Sequence, residues 1–157
     1  MDEKKITLTV DGIVVFPSKK NVNEVLLIRR KNSPFKSHLA IPGGIVEYGE
    51  RTEEAVIREV KEETGLEVQI KELVGVYSDP SRDPRGHFVS VCYLCTPIGG
   101  RLKAGDDAQE VLKVEFTREN INHRLAPQLA FDHMQILMDA FTWYNKAAHT
   151  NCVYRIG

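Results

Sequence analysis

The sequence predicts an α/β protein in which a mixed β-sheet is sandwiched between helices, an α/β/α sandwich. Most of the chain consists of β-rich runs separated by turn residues, and two helical patterns lie apart, one central and one late in the chain. No internal repeat or interdomain linker interrupts the 157 residues. A single domain over residues 1–157 is therefore expected, and this length is sufficient to bury a hydrophobic core.

The first strands precede the central helix. Residues 5–16 are rich in β-branched side chains, and the Asp11-Gly12 pair among them predicts a bend or bulge between two extended stretches. Residues 24–30 predict a strong strand that ends at Arg29 and Arg30. Because side chains alternate between the faces of a strand, at most one of these two arginines can contact a substrate.

The later elements are strands followed by a helix. Residues 66–79 and 87–97 predict the two strands of a hairpin. Residues 99–110 predict a polar, mobile loop, and 111–116 a short strand. Residues 128–146 are apolar at helical spacing, which predicts a helix packed on the sheet. The side chains expected to be buried in this helix are Leu129, Met134, Leu137, Met138, Phe141 and Tyr144.

The central helix is predicted within residues 44–66, where a glycine-bearing loop precedes about four helical turns. Thr52 is the expected N-cap and Gly65 the stopping residue. At about 100° per residue, two groups of side chains form adjoining stripes. One stripe is apolar and the other acidic: Val56, Ile57 and Val60, then Glu59, Glu62 and Glu63. The helix can therefore bury one side and still present three carboxylates together.

Three neighbouring carboxylates repel one another unless a positive charge lies among them. Oxygen ligands of this charge density suit a hard divalent cation, Mg²⁺ or Mn²⁺, which keeps several waters and accepts phosphate oxygens. The alternative is an acidic helix face that is simply solvated, which is the usual case for a Glu-rich helix. The residues around the carboxylates decide between these two interpretations.

The carboxylates belong to a longer pattern of fixed spacing. It consists of Gly, five residues, Glu, seven residues, Arg-Glu-apolar, one residue, Glu-Glu, one residue and Gly-apolar. Every fixed position is satisfied: Gly44, Glu50, Arg58, Glu59, Val60, Glu62, Glu63, Gly65 and Leu66. From ordinary residue frequencies, a chance match at a given start is below about one in a billion. The stretch 44–66 resembles a Nudix box, so the resemblance implies the Nudix fold and a single Nudix hydrolase domain.

Nudix hydrolases cleave a nucleoside diphosphate linked to another group, with a divalent metal on the box helix and water as the nucleophile. By position, the resemblance implies that Glu59 and Glu63 are the principal metal ligands, with Glu62 and the Gly43 carbonyl beside them. The remaining box residues would have structural roles: Gly44, Glu50, Arg58 and Gly65. The implied cofactor is Mg²⁺ or Mn²⁺.

The general base is less closely determined than the metal ligands. Within the box, Glu62 or Glu63 could accept the proton from water. In many family members the base or a further metal ligand comes from a later loop, where this chain has Asp106, Asp107 and Glu110. Glu110 is favoured slightly, because it immediately precedes a predicted strand and would be better fixed than the other two.

The substrate class is inferred from residues outside the box. Arg82 and Arg85 lie in a turn between strands, where guanidinium groups could hold a phosphate. Pro80 stands about fifteen residues beyond the box, as in the ADP-ribose pyrophosphatase branch, which three further segments also resemble: RRKNSPFKSHLAIPGG, LKAGDDAQE and LAFDHMQIL. The resemblance implies hydrolysis of ADP-ribose to AMP and ribose 5-phosphate. Additional candidate substrate contacts are Arg30 and Phe35.

Several side chains are expected to have structural roles, and other substrates stay open. His133 is expected to be a locally hydrogen-bonded helix residue, with a role near the substrate as the open alternative. Cys92 and Cys95 are expected to be inert thiols on opposite strand faces. One alternative is a MutT-like nucleoside triphosphate pyrophosphohydrolase. The other is a non-catalytic ADP-ribose sensor, as in transcriptional regulators of NAD metabolism. Such regulators carry a further DNA-binding domain, for which residues 117–157 are expected to leave no room.

Composition bounds the partners and the location. The net charge of −1 gives no basic excess for a nucleic-acid backbone, and no apolar run approaches a membrane span. The first residues do not resemble a signal peptide, so a cytoplasmic protein is expected. The resemblance alone implies a homodimer.

Overall fold

The computed structural model describes residues 3–149, which form one mixed sheet with a helix on each face. In chain order the elements are β1 (Ile6–Phe16), β2 (Glu24–Arg30), β3 (Leu39–Ala40), β4 (Gly43–Ile45), α1 (Thr52–Thr64), β5 (Leu66–Tyr77), β6 (His87–Gly100), β7 (Ala108–Glu115) and α2 (His133–His149). A π-helical turn, Asn120–Leu125, and a 3₁₀ turn, Ala126–Gln128, precede α2. The predicted Nudix-type α/β/α architecture is confirmed.

The sheet has the strand order β3-β2-β1-β6-β5, with β4 paired to β1 and β7 paired to β2. Strands β1 and β6 are parallel, and the other pairs are antiparallel. The β1–β2 pairing is short, because only Val15 and Phe16 find partners on β2. Earlier in β1, Thr9 to Asp11 pair instead with β4. A gap therefore opens between the first part of β1 and the end of β2.

Two hydrophobic cores lie on opposite faces of the sheet. One packs against α2 and contains Ile13, Leu27 and Ile136, and the other packs against α1 and contains Val10 and Val60. Cys92 belongs to the first core and Cys95 to the second, which confirms that the two thiols point in opposite directions. None of the helices in the described part of the chain is long and apolar enough to cross a membrane.

Strand β1 runs without a break, so the bend predicted at Asp11-Gly12 is wrong. Gly12 is needed for packing instead, because a Cβ atom there would lie 2.7 Å from a methyl group of Val60. Asp11 stays in the strand because its carboxylate accepts a buried hydrogen bond from Ser90 of β6. Both residues usually indicate a turn, but here tertiary contacts keep the strand intact.

Other element boundaries also differ from the predictions. Strand β7 begins at Ala108, three residues early, because it pairs with β2 as far as Arg30. Helix α2 begins at His133, five residues late, and Met134 is exposed. The strand predicted at 24–30 and the hairpin of the next two strands are confirmed. The first strand of that hairpin ends at Tyr77 and not at 79, and the second continues to Gly100 and not to 97.

Helix α1 differs at two positions. Its N-cap is Arg51, whose backbone N–H donates to the Glu54 carboxylate, so Thr52 is the first helical residue and not the cap. Ile57, predicted to be buried, is 40% exposed. Val56 and Val60 are fully buried as predicted, and Ala55 is buried in place of Ile57. The helix ends at Gly65, which adopts a left-handed conformation as predicted.

We expect Val60→Ala to lower the free energy of unfolding by about 2 kcal/mol, because it removes two fully buried methyl groups and leaves a cavity against Gly12. Ile57→Ala on the same helix should cost less than about 1 kcal/mol, because its side chain is already partly in water. Urea unfolding followed by circular dichroism measures both values. Equal losses would contradict the assignment of the buried face.

Candidate active site

A cavity of about 280 Å³ lies in the gap between β1 and β2. Backbone and side chains from most of the sheet line it: Thr9, Val10, Asp11, Ile28, Arg30, Asn32, Ser33, Ile41, Gly43, Gly44, Ile45, Glu63, Arg82, Asp83, Arg85, Phe88, Asp107, Phe131 and His133. The divergence of β1 from β2 therefore creates the opening into which the last turn of α1 and the loop before β6 project their side chains.

The acidic side of the cavity is formed by Glu63 and its neighbours. Glu63 is largely buried, and its Oε2 accepts a hydrogen bond of 3.1 Å from the backbone N–H of Gly43. Burial above all, with the nearby charges of Glu59, Asp11 and Asp107, raises the pKa of Glu63 to about 8. This corner of the cavity thus has an excess of acidic groups over cations.

Arg58 organises the other carboxylates of the box. Its guanidinium group donates to Glu50 at 2.7 and 2.9 Å, to Glu59 at 2.8 Å and to Glu62 at 3.2 Å. The hydrogen bonds from Arg58 lower the pKa of Glu50 to about 2. Arg58 also donates to the Ile45 carbonyl, so it joins the end of β4 to the helix.

The donor set of this corner fits a divalent cation. Glu59 and Glu63 lie one helical turn apart, and Gly44 packs so tightly on the Glu59 carboxylate that a Cβ atom would overlap it. Burial raises the pKa of Glu59, as it does that of Glu63, and a cation would offset this cost. Between residues 3 and 149, no three acidic, histidine or cysteine side chains form a complete metal cluster. Backbone and substrate oxygens would therefore have to complete the coordination, as is usual for Mg²⁺.

The loop that follows β6 is fixed to the end of α1. Lys103 N–H donates to the Thr64 carbonyl and Gly105 N–H to the Glu63 carbonyl, both at 2.9 Å. A Cβ atom on Gly105 would overlap the carbonyl oxygen of Glu62, so this approach requires glycine. The contact places Asp107 in the cavity next to Glu63. A loop predicted to be mobile is in fact bound to the helix terminus.

The opposite side of the cavity is basic and aromatic. The guanidinium group of Arg30 lies 4.9 Å from the ring centroid of Phe131, and that of Arg85 lies 4.6 Å from the ring of Phe88 and 5.7 Å from that of Phe131. Burial, and then the charge of Arg85, lowers the pKa of Arg30. Two like charges held this close favour an anionic ligand between them. Phe131 itself has a φ of 52°, in the left-handed region that non-glycine residues rarely adopt.

Arg82 and Arg85 have different environments. Arg82 has only 5% of its side chain exposed, and it donates twice to Asp132, at 2.6 and 2.8 Å. Arg85 is 46% exposed and pairs with Asp83. Arg82 therefore joins the loop after β5 to the start of α2, whereas Arg85 has guanidinium surface available at the cavity.

Two predicted site residues beyond the box, Glu110 and Phe35, do not line the cavity. Glu110 forms an ion pair of 2.9 Å with Arg29, and alternation along β2 directs Arg29 away from the face on which Arg30 lines the cavity. Glu110 therefore cannot serve as the base from this position, and Asp107 is the loop carboxylate inside the cavity. Phe35 packs behind Phe131, with ring centroids 4.8 Å apart.

Of the three glutamates predicted to bind metal, only Glu63 lines the cavity; Glu59 lies beneath Gly44 and Glu62 is exposed. Sequence reasoning missed Asp11 and Phe131 as cavity residues. An acidic residue inside a strand that is otherwise apolar was the available signal for Asp11.

The comparisons with known proteins agree with this geometry. A family model described as NUDIX domain matches residues 6–139. The chain belongs to the NUDIX domain family. The protein named ADP-ribose pyrophosphatase from Methanocaldococcus jannaschii is 52% identical to this Nudix domain over 138 residues, which are 88% of this chain and 75% of that protein.

Two solved structures resemble the Nudix domain closely. One is a bifunctional NMN adenylyltransferase/ADP ribose pyrophosphatase from Francisella tularensis, complexed with AMP and a Mn ion (TM-score 0.76, 28% identity). The match covers 91% of this chain and 43% of that one. The other is the NUDIX domain of Shewanella oneidensis NrtR complexed with ADP ribose (TM-score 0.74, 26% identity, 90% of each chain).

We expect Arg82→Ala to lower the free energy of unfolding by about 2 to 4 kcal/mol, because it leaves Asp132 without its buried partner. Arg85→Ala should cost less, about 1 kcal/mol, because the Arg85 side chain is 46% exposed and the buried Asp83 keeps the hydrogen bond from the backbone N–H of residue 85. Urea unfolding of both variants tests the difference. An Arg82→Ala protein as stable as the wild type would show that the pair does not hold the loop to α2.

Proposed function

We propose that this Nudix hydrolase cleaves ADP-ribose to AMP and ribose 5-phosphate. The observation that carries the proposal is the polarity of the cavity, which has Glu63 and Asp107 on one side and Arg30 and Arg85 on the other. A diphosphate fits between such sides, because its oxygens can meet guanidinium groups at one face and a carboxylate-bound cation at the other. The 52% identity to an ADP-ribose pyrophosphatase supports this choice of substrate.

The residues that would hold Mg²⁺ or Mn²⁺ are Glu59, Glu63 and, through its carbonyl, Gly43, with Glu62 nearby. A divalent cation there would withdraw charge from the diphosphate and make water a better nucleophile. The Mn ion in the Francisella tularensis structure supports a divalent metal, and Mg²⁺ is proposed from the hard oxygen ligands. Arg58 orients Glu59 and Glu62 through direct hydrogen bonds, and so acts as a positioning residue.

The proton of the attacking water needs an acceptor within the cavity. We propose Asp107 or Glu63 for this role in place of Glu110, because both carboxylates line the cavity and Glu110 does not. Asp107 is held from two directions, since its carbonyl accepts from Lys31 N–H and its Oδ1 accepts from Asn32. This arrangement fixes Asp107 without occupying its second carboxylate oxygen.

Substrate orientation is proposed to come from the basic and aromatic side. Arg30 is fixed by a hydrogen bond of 2.8 Å to the Pro34 carbonyl, which leaves its other nitrogens free to meet phosphate oxygens. Phe88 and Ile45 present apolar surface at the cavity, which suits the flat face of adenine. A cytoplasmic location is proposed as well, supported by the two free thiols of Cys92 and Cys95. A homodimer rests on the family resemblance alone.

A second candidate function is binding of ADP-ribose without cleavage. The NUDIX domain of Shewanella oneidensis NrtR favours it, because that domain is complexed with ADP ribose and the match covers 90% of both chains. Turnover distinguishes the two functions, since a sensor would bind ADP-ribose and leave the diphosphate intact.

We expect the purified protein with Mg²⁺ to release AMP and ribose 5-phosphate from ADP-ribose much faster than it cleaves NADH, diadenosine polyphosphates or nucleoside triphosphates. Chromatography resolves the products. Glu63→Gln should lower kcat by about a hundredfold or more, because it removes a charged metal ligand. Glu119→Gln, at an exposed glutamate, is the matched control and should retain full activity. Preference for triphosphates would contradict the substrate assignment, and binding without cleavage would favour the sensor.

We expect Gly105→Ala to lower kcat by roughly tenfold to a hundredfold with little change in KM, because the added methyl group pushes the loop off α1 and displaces Asp107. Gly99→Ala is the control, since a Cβ there comes closer than 3.4 Å only to Oε2 of Glu67, at the end of a side chain and not on the backbone. Steady-state kinetics on ADP-ribose measure both variants. An unchanged kcat for Gly105→Ala would show that Asp107 needs no such positioning.

A further inference from the structure

His133 lies at the floor of the cavity and is only 3% exposed. Its Nδ1 accepts a hydrogen bond of 2.9 Å from the backbone N–H of Ile41. A ring nitrogen that accepts from an amide carries no proton, so the neutral imidazole has its proton on Nε2. Burial lowers the pKa of His133, which keeps the ring neutral. The ring therefore presents one N–H donor, at Nε2.

Nε2 of His133 has no hydrogen-bond partner among residues 3–149. The nearest acceptor is Oδ1 of Asp11 at 3.7 Å, which is too far for a hydrogen bond. Asp11 is fixed by its other oxygen, which accepts from the Ser90 hydroxyl. The floor of the cavity thus holds one donor, Nε2 of His133, beside one acceptor, Oδ1 of Asp11. Each belongs to a buried side chain whose other polar atom already forms a hydrogen bond.

We propose that Nε2 of His133 and Oδ1 of Asp11 form a subsite for a sugar hydroxyl of the substrate. A hydroxyl both accepts and donates, so it satisfies both groups at once. A phosphate oxygen only accepts, and it would meet the Asp11 carboxylate with repulsion. An apolar group would leave both polar atoms buried and unpaired.

This inference rests on the proposed function and makes its substrate class more specific: a nucleoside diphosphate joined to a polyol. ADP-ribose carries hydroxyls on both sides of its diphosphate, on the adenosine and on the second ribose. Asp11 pairs with Gly43 across β1 and β4, and both line the cavity together with Glu63, so the subsite is next to the proposed metal ligands. Recognition of a sugar hydroxyl at this place would select such substrates over ligands that end at the diphosphate.

The test uses His133→Asn, because an asparagine amide oxygen can replace Nδ1 as the acceptor for Ile41 while the donor at Nε2 is lost. Asp11→Asn is the second variant, since its amide turns the acceptor into a donor. His123→Asn is the matched control, on an exposed imidazole outside the cavity. Three substrates are compared. They are ADP-ribose, the methyl ester of ADP, which lacks the second sugar, and an analogue of ADP-ribose in which 2′,3′-dideoxyadenosine replaces the adenosine.

We expect His133→Asn and Asp11→Asn to lower kcat/KM for ADP-ribose by about tenfold to a hundredfold. The loss should be under about threefold for the analogue that lacks the recognised sugar hydroxyl, which identifies the sugar. Equal losses on all three substrates, with thermal unfolding unchanged, would overturn the subsite. If the wild type cleaves none of them, calorimetric binding of the same compounds replaces kcat/KM. Wild-type protein that neither cleaves nor binds ADP-ribose would contradict the proposed function and the subsite together.

Discussion

Glu63 is an acidic side chain held where water solvates it poorly, and the structure around it is arranged to tolerate this. Desolvation favours its protonated form, so the ionised form needs donors or a cation close by. The Gly43 N–H supplies one donor. Gly43 and Gly44 are both glycine because a Cβ atom on either would overlap neighbouring atoms, which include the carboxylates of Asp11 and Glu59. The identity of the residues before α1 thus follows from where the carboxylates must lie.

Arg58 stabilises the remaining carboxylates of the box in their ionised form. It is the cation to which Glu50, Glu59 and Glu62 are all hydrogen-bonded, so their mutual repulsion is offset without a salt bridge to Glu63. The acidic charge that is left concentrates at Glu63 and Asp107, on the cavity side of the helix. A helix that was neutralised along its whole acidic face would have no reason to attract a divalent cation.

Sequence patterns could predict the part of this site that is local in the chain. The box residues stand within one loop and one helix, so their spacing alone indicates which carboxylates share a face. The rest depends on contacts between distant residues. His133 bonds to Ile41 across 92 positions, and Asp11 to Ser90 across 79. Glu110 was a reasonable candidate base from its place before a strand, but strand pairing with Arg29 turns it away, and register of this kind cannot be read from one segment.

The two sides of the cavity come from different parts of the fold, and this has a consequence for function. The proposed metal ligands lie on α1 and β4, whereas Arg85, Phe131 and His133 are held by the loop after β5 and the start of α2. The two groups face each other across the gap between β1 and β2, which exists because only two residues of β1 pair with β2. Changes on the α2 side can therefore alter which group is attached to the diphosphate while the carboxylates on α1 stay in place. We propose that binding depends on the α2 side and that cleavage depends on the α1 side in addition, a separation that would let one fold support either hydrolysis or ligand sensing.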